Sequence, residues 1–477
     1  MIPLPMQFPI NFKESQGDYR PLLSPNDQRL ITEVQFAKPE DIDWLLTHLK
    51  NSQQKMNTLK AYERSTILRK TAEQIKLNAD KLTWLIATEG GKPLADAKVE
   101  VARAQNTFEI CAEETLRLGG EQIPMERTAA GVGHLTFTTR TPIGPVLAIS
   151  AFNHPLNLLA HQVGCAIAAG CPVVIKPSPN TPLCAFKLEK YLIAAGLPSE
   201  CCYVVNAEIP EIEKMVSSLE FSYVSFIGAA RIGWSLRKIL APGSRLALEH
   251  GGQAPAIVTE DADLAKAIPA LLKGSFYHAG QACISTQRIF VHESRYKSFL
   301  TQFIEETKKL KTADARDENT QVGPLIRPQE ARRVLEWIHE AIQAGAKLEC
   351  GAEKIELGEQ YLTPAILSEV PRDVRLMTEE VFGPVVCVNS YSDEEELIHY
   401  LNTNDYIFES CVFTESLTTS MRLTQKLQAM TIVVNNHSAY RVDWMPFGGH
   451  KLSGLGMGGV KYSIEEMTRL KQIIIKG

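Results

Sequence analysis

Over residues 40–119 the apolar positions Leu59, Tyr62, Ile67, Leu68, Ile75, Leu82, Leu85 and Ile86 recur at helical spacing between Lys, Arg and Glu. The pattern predicts scaffold helices with one packed face and one solvated, charged face. Glu89-Gly90-Gly91-Lys92-Pro93 ends one of them on glycine and opens the next at proline. From residue 146 the period changes, and short apolar runs at 146–150, 172–176, 203–205, 223–227 and 246–249 alternate with helical stretches. Such alternation predicts an α/β fold whose parallel sheet carries helices on both faces, with ligands bound beyond the C-terminal strand ends. A second α/β unit is expected over residues 252–437. Residues 135–139, rich in β-branched and aromatic side chains, predict an exposed strand of a hairpin. The tail, Lys471-Gln472-Ile473-Ile474-Ile475-Lys476, predicts an apolar strand that needs a partner. Residues 1–38, rich in Pro, Asn, Asp and Gln, read as an irregular arm with short strands.

Composition narrows the class. A chain of 477 residues with 44% apolar and 22% charged positions fits two or three ordinary globular domains. The net charge of -5 and the absence of any basic block argue against nucleic-acid binding. Ten cysteines are scattered without CxxC pairs or zinc-spaced histidines, so they are expected to be thiols in a reducing compartment, and no metal site is expected. The first six residues lack a basic region and are broken by prolines, unlike a signal peptide. The most apolar span, 156–175, is interrupted by His161, Gln162, Gly164, Gly170 and Pro172, unlike a membrane helix. A cytoplasmic protein with no membrane partner is the expectation.

The candidate chemistry centres on Cys283, in the stretch Gly280-Gln281-Ala282-Cys283. A thiolate is a strong nucleophile, and small neighbours leave room for a substrate carbon. Leu248-Glu249-His250-Gly251-Gly252 supplies a carboxylate as candidate base. At these two boxes the chain resembles the NAD(P)-dependent aldehyde dehydrogenase superfamily, and further boxes in the same order extend the resemblance over almost the whole chain.

The resemblance implies a Rossmann-like nucleotide domain (residues 1–123 and 143–251) and a catalytic α/β domain (252–437). It further implies a β-hairpin arm and tail (124–142 and 462–477) that join subunits into a homodimer or homotetramer, and a glycine-rich segment near the active site (438–461). It assigns Cys283 as nucleophile, Glu249 as base and Asn153 as the amide that holds the developing oxyanion. Phe152, Lys176, Ser178, Gly228, Gly233, Glu380 and Phe382 are implied as contacts of NAD or NADP. The implied reaction is oxidation of a small aldehyde to a carboxylic acid through a thiohemiacetal and a thioester, and Glu249 points to hydrolysis rather than transfer to coenzyme A. The wording around Asn153 is closest to branches acting on small polar aldehydes, such as lactaldehyde or phosphonoacetaldehyde.

Departures from the family pattern modify this reading. Pro179 stands where a ribose-binding glutamate is usual, so NADP is expected to be tolerated. Ala229 replaces a phosphate-contacting serine, and Met457 and Gly458 replace an arginine-glutamate pair, which leaves proton movement to Glu249 or water. Two other readings stay open on the residues alone: a cysteine thioesterase without nicotinamide, and a non-catalytic oligomeric scaffold of the same fold. His154, Asn157, His161 and His278 are candidates for a polar pocket wall.

Overall fold

The computed structural model describes residues 7–9, 15 and 17–477; the expectation for residues 1–6 lies outside these. The fold is α/β, built on two largely parallel sheets. The first runs Cys202–Val204, Val173–Lys176, Val146–Ile149, Tyr223–Ile227, Arg245–Glu249, closed by the antiparallel edge strand Gly454–Leu455. Arg245–Glu249 is only partly buried, whereas Val146–Ile149, Val173–Lys176, Cys202–Val204 and Tyr223–Ile227 are buried along their whole length. Coverage on both faces is why they read as unbroken apolar runs rather than alternating ones. On one face pack Ala61–Leu77, Leu94–Arg117, Asn157–Ala169 and Leu183–Ala194; on the other, Pro39–Thr58, Ile209–Val216 and Ala230–Ile239. The chain reverses direction across the sheet between Val146–Ile149 and Tyr223–Ile227, which opens a crevice at their C-terminal ends.

The second sheet runs Lys347–Cys350, Ala365–Ser368, Val385–Tyr391, Arg288–His292, Pro255–Val258, Glu409–Phe413, Thr431–Val434, with only the first strand antiparallel. It has its own apolar core. A third, antiparallel sheet places His134–Pro142 between Gln122–Ile123 and the tail Thr468–Lys476.

The expected hairpin strand at 134–142 pairs with Gln122–Ile123 on one side and with the tail on the other, from Pro142↔Thr468 to His134↔Lys476, which gives the tail its partner. Two expectations are corrected. Tyr62 is exposed rather than packed. The helices of residues 40–119 do not carry all their charges on a solvated face: Glu89, Lys92 and Glu100 are fully buried. Lys92 and Glu100 form a buried ion pair. Glu100 Oε1 also accepts from the Leu156 and Asn157 N–H groups (2.9 and 3.2 Å), and Glu89 accepts from Leu183 and Cys184 N–H (2.9 and 3.1 Å). These carboxyls supply acceptors that two helix N-termini lack, and they sit where the helix dipole favours negative charge. They thereby fix the loops that follow strands Val146–Ile149 and Val173–Lys176.

Candidate active site

The loop after Ile149 carries Phe152 and Asn153. Asn153 is buried, and its Nδ2 donates to the Gln281 carbonyl at 3.0 Å, which ties the first sheet to the segment bearing Cys283. After the next strand come Lys176 and Ser178, both buried. Burial pushes the Lys176 ammonium down to about 8, and among the described residues it has no carboxylate partner. Gly228 follows Ile227, its N–H donating to the Glu249 carbonyl at 3.1 Å, and a Cβ there would stand 2.8 Å from the Phe226 ring. Glu249 ends its strand with its carboxyl raised by burial, an effect the Arg441 charge opposes. Its Oε1 would be 2.6 Å from a Cβ on Gly458, so the glycine leaves the carboxyl its space.

The other half of the site comes from the second sheet, at the opposite strand ends. Cys283 precedes Arg288–His292, and Glu380 and Phe382 precede Val385–Tyr391. Gly280 adopts φ 71, and any Cβ there would overlap the Gly383 carbonyl. Gln281 is the anchor of this turn: its Nε2 donates to the His278 and Pro324 carbonyls (3.2 and 3.3 Å) and its Oε1 accepts from Ile326 N–H (2.9 Å). The Cys283 carbonyl accepts from Gly252 N–H at 3.2 Å. Cys283 is half-buried. Burial pushes its thiol up to about 12, with Glu380 adding to the effect and Arg441 opposing it, so the resting group is a thiol.

Glu380 is held from both sides, since Gln287 donates to the Glu379 carbonyl (2.7 Å) and accepts from Val381 N–H (2.9 Å). Burial raises its carboxyl to about 8. Its Oε1 is inaccessible and has no hydrogen-bond partner. A Cβ on Gly251 would overlap this carboxyl, which explains the glycine. The Phe152 and Phe382 rings meet edge to face at 5.8 Å, with Phe382 at φ 49.

These residues open on one cavity of about 910 Å³ between the sheets. Cys283, Glu249, Asn153, Phe152, Lys176, Ser178, Gly228, Glu380 and Phe382 all line it; Gly233 does not. A Cβ on Gly233 would overlap the His250 ring, whose Nδ1 donates to the Gly228 carbonyl at 2.9 Å. The glycine therefore makes room for His250, which itself lines the cavity. His154, Asn157 and His161 line the cavity, whereas His278 is buried outside the lining. Reading by motif missed Gln287, Arg103, Tyr277, His437 and Arg441, of which all but Gln287 line the cavity. No short-range pattern marks them. Among the described residues no cluster of three His, Cys, Asp or Glu side chains is arranged to hold a metal ion, and no helix is long and apolar enough to cross a membrane.

Comparison with known proteins agrees with this geometry. The model of the aldehyde dehydrogenase family matches residues 12–473. A 3-sulfolactaldehyde dehydrogenase from Priestia aryabhattai is 38% identical over 463 residues, covering 97% of this chain and 96% of the relative. A lactaldehyde dehydrogenase from Methanocaldococcus jannaschii is 37% identical over 465 residues, covering 95% and 96%. The crystal structure of glyceraldehyde-3-phosphate dehydrogenase GapN from the same organism, complexed with NADP, superposes with a TM-score of 0.92 at 35% identity, covering 97% of this chain and 100% of that one. With the cysteine, carboxylate and amide gathered in one cavity, and with this similarity along nearly its full length, the chain belongs to the aldehyde dehydrogenase family, NAD(P)-dependent enzymes that oxidise aldehydes to acids.

Proposed function

We propose that Cys283 is the nucleophile of a hydrolytic dehydrogenase for short polar aldehydes, with Glu249 as general base and Asn153 as oxyanion donor. The observation that carries the reading is the single cavity in which Cys283 and Glu249 meet Lys176, Ser178, Gly228 and Glu380. The lining suits a dinucleotide. The Glu380 carboxyl lines the cavity and can accept from a ligand hydroxyl, and Lys176 is a cation without a counterion among the described residues. Helix Ala230–Ile239 begins at Ala229 without a side-chain cap, so its first N–H groups are free for a pyrophosphate. A bound NAD(P)+ supplies the hydride acceptor.

Glu249 relieves Cys283 of its proton as sulfur bonds to the aldehyde carbon, and the second Nδ2 hydrogen of Asn153, with backbone N–H, holds the oxyanion. Loss of hydride from that carbon leaves a thioester on Cys283. Glu249 first passes the thiol proton to solvent, then takes a proton from water as the water oxygen adds to the thioester carbon; the sulfur leaves, regains that proton from Glu249 as the thiol, and the carboxylic acid departs. The names of the sulfolactaldehyde and lactaldehyde relatives support a short, polar substrate. Pro179 in the lining, where a carboxylate would repel a 2′-phosphate, supports acceptance of NADP. A homodimer or homotetramer is supported by the apolar, exposed Leu135, Leu470, Ile474 and Ile475 on the third sheet. All ten cysteines are free, in keeping with a reducing, cytoplasmic setting. A cysteine hydrolase without nicotinamide gains no support from a cavity half lined by Lys176, Ser178 and Gly228.

The test is near-ultraviolet absorbance of NADH and NADPH formed from a panel of short aldehydes. Cys283→Ala abolishes turnover, and Glu249→Gln gives a single burst without steady-state turnover. Continued turnover by Cys283→Ala refutes the assignment.

A further inference from the structure

Helix Leu94–Arg117 borders the cavity through Val99 and Arg103. Asp96, Glu100, Arg103 and Thr107 follow one another at helical spacing and share one of its faces. Each holds a segment brought in from elsewhere in the chain. Glu100 Oε1 accepts from the Leu156 and Asn157 N–H groups (2.9 and 3.2 Å), and Thr107 Oγ1 donates to Asn157 Oδ1 (3.2 Å). Arg103 donates to both Asp443 oxygens (2.8 and 3.1 Å). Asp96 Oδ2 accepts from the His278 N–H at 3.3 Å, in the turn that leads to Cys283.

That turn is strained. His278 (φ 48, ψ 42) and Ala279 (φ 55, ψ 33) are left-handed, and Gly280 follows at φ 71. Only glycine takes this conformation without cost, so two successive residues with a Cβ need contacts from outside to keep them there. The His278 ring supplies no polar one: it is buried, and among the described residues neither ring nitrogen has a hydrogen-bond partner. The His278 carbonyl accepts from Gln281 N–H (3.1 Å) and Nε2 (3.2 Å), bonds that stay within the turn, whereas the His278 N–H goes out to Asp96. Gln281 thus holds the far end of the turn and Asp96 the near end. Asp96 is half-buried, and the charges that face it are Lys92 and Lys273. Burial raises its carboxyl to about 6, so at neutral pH it accepts as a carboxylate.

These bonds close a ring. It runs from the helix through Asp96 to His278, along the turn to Gln281, and from the Gln281 carbonyl to Asn153 Nδ2 at 3.0 Å. From Asn153 it follows the loop to Leu156 and returns to the helix through Glu100. Lys92, paired with Glu100 and facing Asp96, links the two carboxylates at the start of the helix. Cys283 stands two residues beyond Gln281.

We propose that Asp96 is a positioning residue for the reaction: by holding the His278 N–H it sets the Cys283 sulfur against the Asn153 amide. The inference rests on the reading of Cys283 as nucleophile and Asn153 as oxyanion donor. Asp96 lies outside the cavity lining, so it acts on the transition state through alignment and leaves ligand binding unchanged.

The test is steady-state kinetics of the full-length enzyme, with NAD(P)+ and the short aldehyde that wild type turns over fastest. Asp96→Ala lowers kcat about 10- to 100-fold, the scale on which a small misplacement of reacting groups acts, and moves KM and NAD(P)+ affinity by less than about twofold. Asp96→Asn keeps an oxygen acceptor for the His278 N–H and stays within about fivefold of wild type, the difference between an ionised and a neutral acceptor. In an Asn153→Ala background no amide remains to be aligned, and Asp96→Ala then costs less than about threefold. A second measurement needs no turnover: hydrogen exchange of the peptide 276–288, read by mass spectrometry, is faster in Asp96→Ala, while exchange of the strand 223–227 is unchanged. A loss carried by KM, a loss in Asp96→Asn as deep as in Asp96→Ala, an equal loss in the Asn153→Ala background, or unchanged exchange of 276–288 overturns the proposal and leaves the dehydrogenase reading standing. Continued turnover by Cys283→Ala, or no aldehyde oxidation by wild type, overturns both.

Discussion

Replacing Gly251 with alanine tests the geometry of the cofactor side most directly. The three atoms nearest the added methyl all belong to the Glu380 carboxyl and would overlap it, while the Gly251 backbone is not in the left-handed region. The substitution therefore acts through one side chain. Glu380 must swing out of its place, and the carboxyl proposed to accept from a ribose hydroxyl goes with it. With its carboxyl raised to about 8, Glu380 is largely neutral near pH 7; a hydrogen bond to a neutral group contributes about 0.5–1.5 kcal/mol, so NAD+ affinity is expected to fall about 2- to 12-fold. Equilibrium titration of NAD+ against intrinsic tryptophan fluorescence measures it. The decisive arm is a double-mutant cycle. In a Glu380→Ala background the three overlapping atoms are gone, and Gly251→Ala then costs less than about twofold. Equal losses in the two backgrounds would show that Gly251 acts by another route and refute the argument.

Asn153→Ala removes a preorganised amide from the oxyanion and is expected to lower kcat about 100- to 1000-fold with a small change in NAD+ affinity; a loss under tenfold would remove Asn153 from that role. Lys176 is charged below about 8 and neutral above it. A 2′-phosphate is doubly ionised above about 6, so the NADP-to-NAD affinity ratio is expected to be greatest between these values and to fall as pH rises through 8. Lys176→Arg keeps its charge and holds the ratio level to higher pH, and a ratio indifferent to pH in wild type would rule out a contact between Lys176 and the phosphate. Lys92→Met strands the fully buried Glu100 and is expected to destabilise the protein by about 3–5 kcal/mol in urea unfolding. Adding Glu100→Gln should recover part of that loss; an equal or greater loss in the double variant contradicts the buried-pair account.

Much of the first sheet was legible because its physics is local. Buried parallel strands must be apolar along their length, so 146–149, 173–176 and 223–227 announce themselves, and the residues just beyond them, Asn153, Lys176 and Gly228, lie at the crevice. The same rule does not find the rest of the site. Cys283, Glu380 and Phe382 stand before their strands, because the second sheet turns its N-terminal ends toward the C-terminal ends of the first. Only motif resemblance picked them out. Periodicity also misjudged Glu89, Lys92 and Glu100: helical spacing says which positions share a face, not whether a charge on it meets solvent, a partner charge or another helix's N–H groups.

The sequence by itself therefore determined the α/β class, the strand-helix alternation, and the choice of Cys283 and Glu249 as the residues proposed to carry the chemistry. Tertiary structure decided what those residues face. Arg441 resembles any loop arginine until Arg103, 340 residues from Asp443 in the chain, takes up the neighbouring carboxylate and leaves the guanidinium alone at the cavity wall. Gly233 resembles a phosphate-loop glycine until the His250 ring fills the space its side chain would need. The physical reason is common to both: local patterning is set by the period of the backbone, whereas which charge is paired, and which void is filled, depends on side chains brought together from distant parts of the chain.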